Sequence, residues 1–400
     1  MRPILLLVAA AAAWGADGSF TLEQIMSRPF VSELTAGPGG RVAWLVNVRG
    51  VRNVYVAEQP EYRGRAVTRF AEDDGQDVGK LRWMPDGKAV AFIRGGDLEF
   101  PRTEHPNPLS RAEGVEQGVW IATVDGKTRK LAEGGSVAPL DATRVLYTKG
   151  NQIWSVGLAD DAKPAMVAQP RGAVEDLTVA PDGSAVAFTS EGRMHGFVGV
   201  YRFADKSLRY LDASVDTDQS PAWSPDSKSV AFVRVAAGSR RQGGAHREDA
   251  EPWSIRVADA ATGRGREVWK ARAGVGSAFQ PLASGTRLWG DGRLVFPWER
   301  DGWSHLYSVA EGGGEAALLT PGEFEVEHAA LAPDRRRVVF SSNQGDIARR
   351  HIWRVGVTAG AKAAALTSGA GIEWSPAALD GGAVAFLRSD ARQPARAAIQ

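Results

Sequence analysis

Short apolar runs bounded by turn residues recur along the whole chain, and eight of them share one signature: Val or Leu, a small or aliphatic residue, then an aromatic. The signature ends at Trp44, Phe92, Tyr147, Phe188, Phe232, Phe296, Phe340 and Phe386. The intervals are 48, 55, 41, 44, 64, 44 and 46 residues, close to the roughly 40–50-residue period of a repeat built from one four-stranded unit. A turn precedes most signatures, as at Pro85-Asp86-Gly87, Pro181-Asp182-Gly183, Pro225-Asp226-Ser227 and Pro333-Asp334. Pro sets φ at the first turn position, and Asp and Gly tolerate the left-handed backbone of a tight hairpin. A further strand with an aromatic centre follows, at Tyr55, Trp120, Trp154, Tyr201, Trp253, Tyr307 and Trp353.

The unit therefore reads strand, turn, strand, loop, aromatic strand, turn, strand. One such sheet cannot cover both of its faces, whereas a radial stack of sheets covers each face with a neighbour. Eight units predict an all-β fold, an eight-bladed β-propeller over residues 31–400. A pair of β-sandwiches also has short strands and regular turns, but does not repeat one signature in constant phase. The third repeat has only Leu140-Asp141-Ala142-Thr143 at its turn, and the eighth is barely complete before Gln400. Whether the eighth blade closes by pairing with residues near 29–34 is not decided by the pattern. Thr21 and Gln24 stand at capping-box spacing, which predicts a short helix or linker over residues 17–30.

Residues 1–16 carry one basic residue, an apolar run from Ile4 to Trp14 and small residues at Ala13, Gly15 and Ala16. That order is that of a secretory signal peptide, so a periplasmic or secreted location is expected. The run is shorter than the 18 or more apolar residues that a spanning helix needs, and no membrane span is expected in the mature chain.

Composition narrows the chemistry. Lys plus Arg number 48 and Asp plus Glu 47, so no field of one sign invites nucleic acid. With no Cys and six scattered His, thiolate chemistry is absent, and no metal site or cofactor is expected. No Ser lies in Gly-x-Ser-x-Gly, the pattern of a nucleophile elbow; Gly302-Trp303-Ser304-His305-Leu306 comes nearest and reads as a strand after an Asp301-Gly302 turn. In Glu325-Val326-Glu327-His328 the alternation is that of a strand, with the two Glu on one face. A propeller glycosidase or lactonase would need carboxylates or metal ligands converging on the pore, which spacing alone does not identify. No catalytic residue is assigned. Two insertions break the period at the same place in their blades, residues 95–117 and 237–252, and both are rich in charge of either sign. Their equivalent positions should bring both to one end of the propeller, as a polar rim or as solvated loops.

Taken together, the repeats, the signal-like start, the short helix and the run Trp298-Glu299-Arg300-Asp301-Gly302-Trp303-Ser304-His305-Leu306-Tyr307 resemble the propeller of dipeptidyl peptidase IV-like enzymes, members of the prolyl oligopeptidase group of serine peptidases. Pro252-Trp253-Ser254-Ile255 and Ser341-Ser342-Asn343-Gln344-Gly345-Asp346 match as well. The resemblance implies a propeller that gates and binds peptide substrates for a C-terminal α/β-hydrolase domain, the partner that carries the catalytic triad. About 48 residues per unit use up the 400, so the chain is expected to be inactive alone. The family holds a peptide's N-terminus with adjacent glutamates and an arginine. This chain has no Glu-Glu pair; by position in the repeat, Arg102 or Arg111 would stand for the arginine, and Glu248 or Glu251 for a carboxylate. The alternative is a stand-alone periplasmic propeller that binds protein partners, similar to that of the Tol envelope system.

Overall fold

The structure, a computed structural model, describes residues 21–98, 106–192, 195–237, 250–285 and 288–400. Among them eight antiparallel sheets follow one another in chain order, spanning 30–66, 78–133, 137–168, 173–210, 217–270, 288–318, 326–365 and 372–399. Seven have four strands and the eighth has three; a single parallel bridge, Gly196 to Thr217, links blades four and five. The architecture is the predicted eight-bladed β-propeller.

Every signature falls on the second strand of its blade, from Arg41–Val48 in blade one to Val384–Asp390 in blade eight. Its aromatic is buried each time, completely so at Phe92, Phe188, Phe232, Phe296 and Phe340. Each such ring contributes roughly 1.5–3 kcal/mol by leaving water. The apolar clusters join adjacent blades: Ala43, Val54 and Val67 of blade one pack with Leu81, Trp83 and Phe92 of blade two, and Trp253 and Trp269 of blade five with Phe296 and Trp298 of blade six. This is the burial that one sheet alone cannot achieve.

The turn residues act through their carboxylates. Asp86 Oδ1 accepts the Lys88 N–H at 3.0 Å, and Asp182, Asp226 and Asp334 do the same for Ser184, Lys228 and Arg336. In the third repeat, Asp141 accepts from Thr143 N–H at 2.8 Å and fills the same role without the Pro. Thr hydroxyls close the outer strands: Thr68, Thr320 and Thr367 accept the N–H groups of Val54, Leu306 and Ile352 at 2.8–2.9 Å.

Among the described residues the ring closes by packing, without a strand pairing between blades one and eight. The first strand of blade one pairs with its own second strand, as does the last strand of blade eight. Val31, Val42, Trp44 and Val46 of blade one meet Ala377, Leu379, Ala385 and Leu387 of blade eight in one cluster. The predicted helix is Leu22–Met26, with both capping-box bonds made: Gln24 N–H to Thr21 Oγ1 at 3.1 Å and Thr21 N–H to Gln24 Oε1 at 2.9 Å. No described helix is long and apolar enough to cross a membrane.

The strand order gives the ring two distinct ends. Turns between first and second strands, and between third and fourth, lie at one, the turn end. Loops between second and third strands and the linkers between blades lie at the other, the loop end. The described residues of both insertions, 95–98, 106–117, 237 and 250–252, lie between second and third strands and so at the loop end, as expected.

Candidate binding site

The first strands face the axis, and five of them carry the same distortion. In blades one, two, four, five and eight the register slips where the first strand passes the signature aromatic. One residue in each slip has positive φ: Glu33 (58°), Lys80 (55°), Asp176 (52°), Ser220 (59°) and Ser375 (49°). A non-glycine residue in that region costs roughly 1–2 kcal/mol. Such residues persist only where the surrounding structure holds them in place.

A cavity of about 820 Å³ lies at this level, lined by Glu33, Lys80 and Ser375 together with Asn47, Arg52, Asp77, Arg82, Ser284 and His328. Its walls carry both signs of charge. Arg52 Nε lies 3.4 Å from Asp77 Oδ1, whose other oxygen accepts Leu98 N–H at 3.0 Å. Lys80 Nζ reaches the Gly135 carbonyl at 3.4 Å. His328 Nδ1 sits 3.1 Å from Ser341 Oγ; burial lowers its pKa against the opposing charge of Glu327, so the ring is neutral at pH 7. Ser341, whose hydroxyl sits beside His328, is wholly buried. The simple alternation expected at residues 325–328 fails here: Glu325 precedes the strand Val326–Leu331, and the register shift at Glu327 breaks the period-two pattern before His328, which lines the cavity.

At the loop end, arginines on second strands are locked to acids of first strands and linkers. In blade two, Arg94 pairs with Asp74 and lies 4.4 Å from the centroid of Phe70, which meets Trp120 edge-on at 5.6 Å. Burial pushes the Asp74 carboxyl up, but the Arg94 hydrogen bond and charge outweigh it and hold the pKa below the ordinary range. In blade five, Arg234 grips Asp218 with Nε and Nη2 at 2.7 and 2.9 Å and reaches Asp212, which also pairs with Arg256 at 2.7 Å. Asp218 is fully buried, and this desolvation raises its pKa to about 6 despite Arg234. Between blades seven and eight, Glu373 accepts from Thr367 Oγ1 at 3.0 Å and lies 2.7 Å from His351 Nδ1.

Of the residues expected to bind substrate, Arg102 and Glu248 lie outside the described residues. Arg111 is half-exposed, 4.0 Å from Glu72, on a second cavity of about 310 Å³ with Asp74, Arg94, Glu113, Trp120 and Lys130. Glu251 belongs to blade five and pairs with Lys270 at 3.7 Å. The structure therefore places Arg111 and Glu251 in separate surroundings, each with its own partner. Sequence reasoning missed the ring at Glu33, Lys80, Asp176, Ser220 and Ser375. The signal was present: these stand eleven residues ahead of Trp44 and Phe386, and twelve ahead of Phe92, Phe188 and Phe232. Among the described residues no group of three or more His, Asp or Glu is arranged to hold a metal ion.

This fold and these features can be set beside known proteins. Residues 254–393 match the family model described as the dipeptidyl peptidase IV N-terminal region. Dipeptidyl peptidase 4 of Porphyromonas gingivalis is similar with a TM-score of 0.63 at 11% identity, over 94% of this chain and 59% of that one. A puromycin-hydrolyzing peptidase of Mycobacterium tuberculosis gives 0.54 at 18% identity, over 94% and 51%. The acylaminoacyl peptidase of Pyrococcus horikoshii gives 0.51 at 13%, over 94% and 52%. The chain thus spans between half and three-fifths of these proteins, and the resemblance read from the repeats is to the propeller region of this group of peptidases.

Proposed function

We propose that the chain is the propeller of an exported dipeptidyl peptidase IV-like serine peptidase, gating and binding peptides for an α/β-hydrolase domain that docks on the loop end. The observation that carries this reading is the distribution of exposed apolar side chains. Of the ten large hydrophobic residues exposed among those described, Leu22, Ile25, Met26, Phe30, Val48, Leu109, Val215, Val275 and Ile347 belong to the loop end; Met166, on the outer strand of blade three, is the exception. Isolated exposed apolar residues need no explanation, but their concentration on one face marks an interaction surface.

The family match over residues 254–393 supports the same partner. The polar channel suits a peptide, which brings backbone amides and charges of either sign, better than an apolar ligand. In this reading Arg111, which lines the blade-two cavity, would meet a peptide carbonyl or carboxylate from the docked side. In this reading the catalytic triad belongs to the partner, and the propeller alone hydrolyses nothing.

Reading the encoding gene past Gln400 tests the proposal. A continuation that contains Gly-x-Ser-x-Gly supports it, and a stop codon there overturns it in favour of an interaction propeller. Labelling of this chain by a fluorophosphonate probe would contradict its non-catalytic role.

A further inference from the structure

We infer that the channel takes up extended peptides by main-chain pairing to the inner edge of a first strand, and that residues 282–285 are a built-in occupant of one such edge. The inference rests on the reading above that peptides enter the channel, and adds how they are held.

The observation is a strand that leaves its own blade. The first strand of blade six has two residues, Leu288–Trp289, paired with Val295 and Leu294 of the second strand. A longer partner would next need the N–H of Pro297, which proline lacks. The segment upstream instead pairs with blade seven. Ala283 N–H donates to the Glu327 carbonyl at 3.0 Å, and Ala329 N–H donates to the Ser284 carbonyl at 3.1 Å, forming a parallel bridge between Ser284 and His328.

Blade seven offers this edge because Glu327 is skipped in the pairing of Val326 and His328 with its second strand. Ala283 and Ser284 themselves line the large cavity. The segment thus behaves as an extended peptide would, with backbone contacts and small side chains. At Gly285, φ is +75° and a Cβ would lie 1.8 Å from the Ala329 carbonyl oxygen, so only glycine allows so close an approach. The first strands of blades one, two and eight end their sheets in the same way and face the same cavity with slipped registers. The ligand class is an unstructured peptide with a glycine after two small residues.

A covalently attached occupant competes at an effective concentration of about millimolar, so a free peptide should bind the wild-type chain weakly. Two substitutions release the segment: Ala283→Pro removes the donor to Glu327, and Gly285→Val forces the clash with Ala329. The probe is a fluorescein-labelled Pro-Leu-Ala-Ser-Gly peptide followed by anisotropy, with folding of each variant checked by its urea transition. Binding should tighten at least about tenfold in either variant. A peptide N-methylated at its Ala, or ending Ser-Val, should lose that gain.

Equal affinity of wild type and folded variants, or binding indifferent to N-methylation, overturns main-chain pairing while leaving peptide entry intact. Absence of binding by any peptide to any form removes both readings. Should neither variant fold, the comparison of plain and N-methylated peptides at millimolar concentration on the wild-type chain decides.

Discussion

The two ends of the ring are built from the same repeat but to different standards. At the turn end the connections stay short, between two and seven residues, and in five repeats the turn between first and second strands is closed by an Asp carboxylate on the N–H two residues ahead, at Asp86, Asp141, Asp182, Asp226 and Asp334. At the loop end, the connections vary in length, and carry both insertions, the helix Leu22–Met26 and nearly all the exposed apolar side chains. A regular end needs only to turn the chain. An end that varies from blade to blade over a constant framework is where binding is placed, because loops can change without disturbing the core.

The sharpest way to break this contrast is to show that the loop end also contains structure that cannot be removed. Arg234 and Asp218 lie there, the acid wholly buried and the guanidinium nearly so. Arg234→Ala leaves the carboxylate without its partner, and the expected loss is about 3–5 kcal/mol. A urea denaturation series measures it. A loss below about 1 kcal/mol would mean that water reaches Asp218 and that the loop end is loose throughout.

The same acid gives the loop end a pH signature. Burial raises the Asp218 pKa to about 6, above the 3.8 of an exposed aspartate. The native state therefore holds this proton more tightly than the unfolded chain does. Its contribution is fully present below about pH 4 and is lost as the pH rises through about 6, a change on the order of 2–3 kcal/mol. Asp74, in the corresponding pair of blade two, is shifted down and has the opposite sign: its contribution is present above the ordinary carboxylate range and is lost in acid. The difference in Tm between the wild type and Asp218→Asn should therefore change between pH 4 and 6.5. A constant difference would show that Asp218 titrates as an exposed acid.

Pairs such as these explain what the sequence could and could not reveal. The ring was legible because its determinants are local: an aromatic on each second strand, a Pro or Asp at each turn, and a period set by blade length. Even the weak third turn obeyed the rule once Asp141 was seen to act without proline. The site was less legible because it depends on which strands meet. Asp74 and Arg94 are twenty residues apart, and Asp212 serves arginines on two strands of the next blade. The channel residues were hidden for another reason. A register slip changes which way a residue faces, so the plain alternation applied to Glu325–His328 failed at the bulge. Pro297 was a local clue that the first strand of blade six is cut short, since proline has no hydrogen to give an inner strand.

The turn end should respond modestly and evenly. Asp86→Ala removes one hydrogen bond, from Lys88 N–H at 3.0 Å, in a solvent-exposed hairpin. The expected loss is about 0.5–1.5 kcal/mol, with the same midpoint shift whether followed by tryptophan fluorescence or circular dichroism. A much larger loss would mean that turns direct the assembly of neighbouring blades and are not merely local closures.

The smallest expected effect on stability is the most informative about function. Met26, Val215 and Ile347 are mostly exposed and lie on three separated loop-end segments, so replacing each with Ser removes almost no burial. Each change should fall within about 0.5 kcal/mol of the wild type in denaturant. An apolar dye that reports exposed hydrophobic surface should nevertheless bind less strongly to the triple variant, because the side chains removed already stand in water and contribute nothing to the core. If these substitutions instead destabilise the chain by more than 1 kcal/mol apiece, the side chains are covered in solution, and the contrast between a stabilising end and a docking end is wrong. If stability holds and the dye signal falls, the loop end keeps its apolar surface for a partner and not for its own fold.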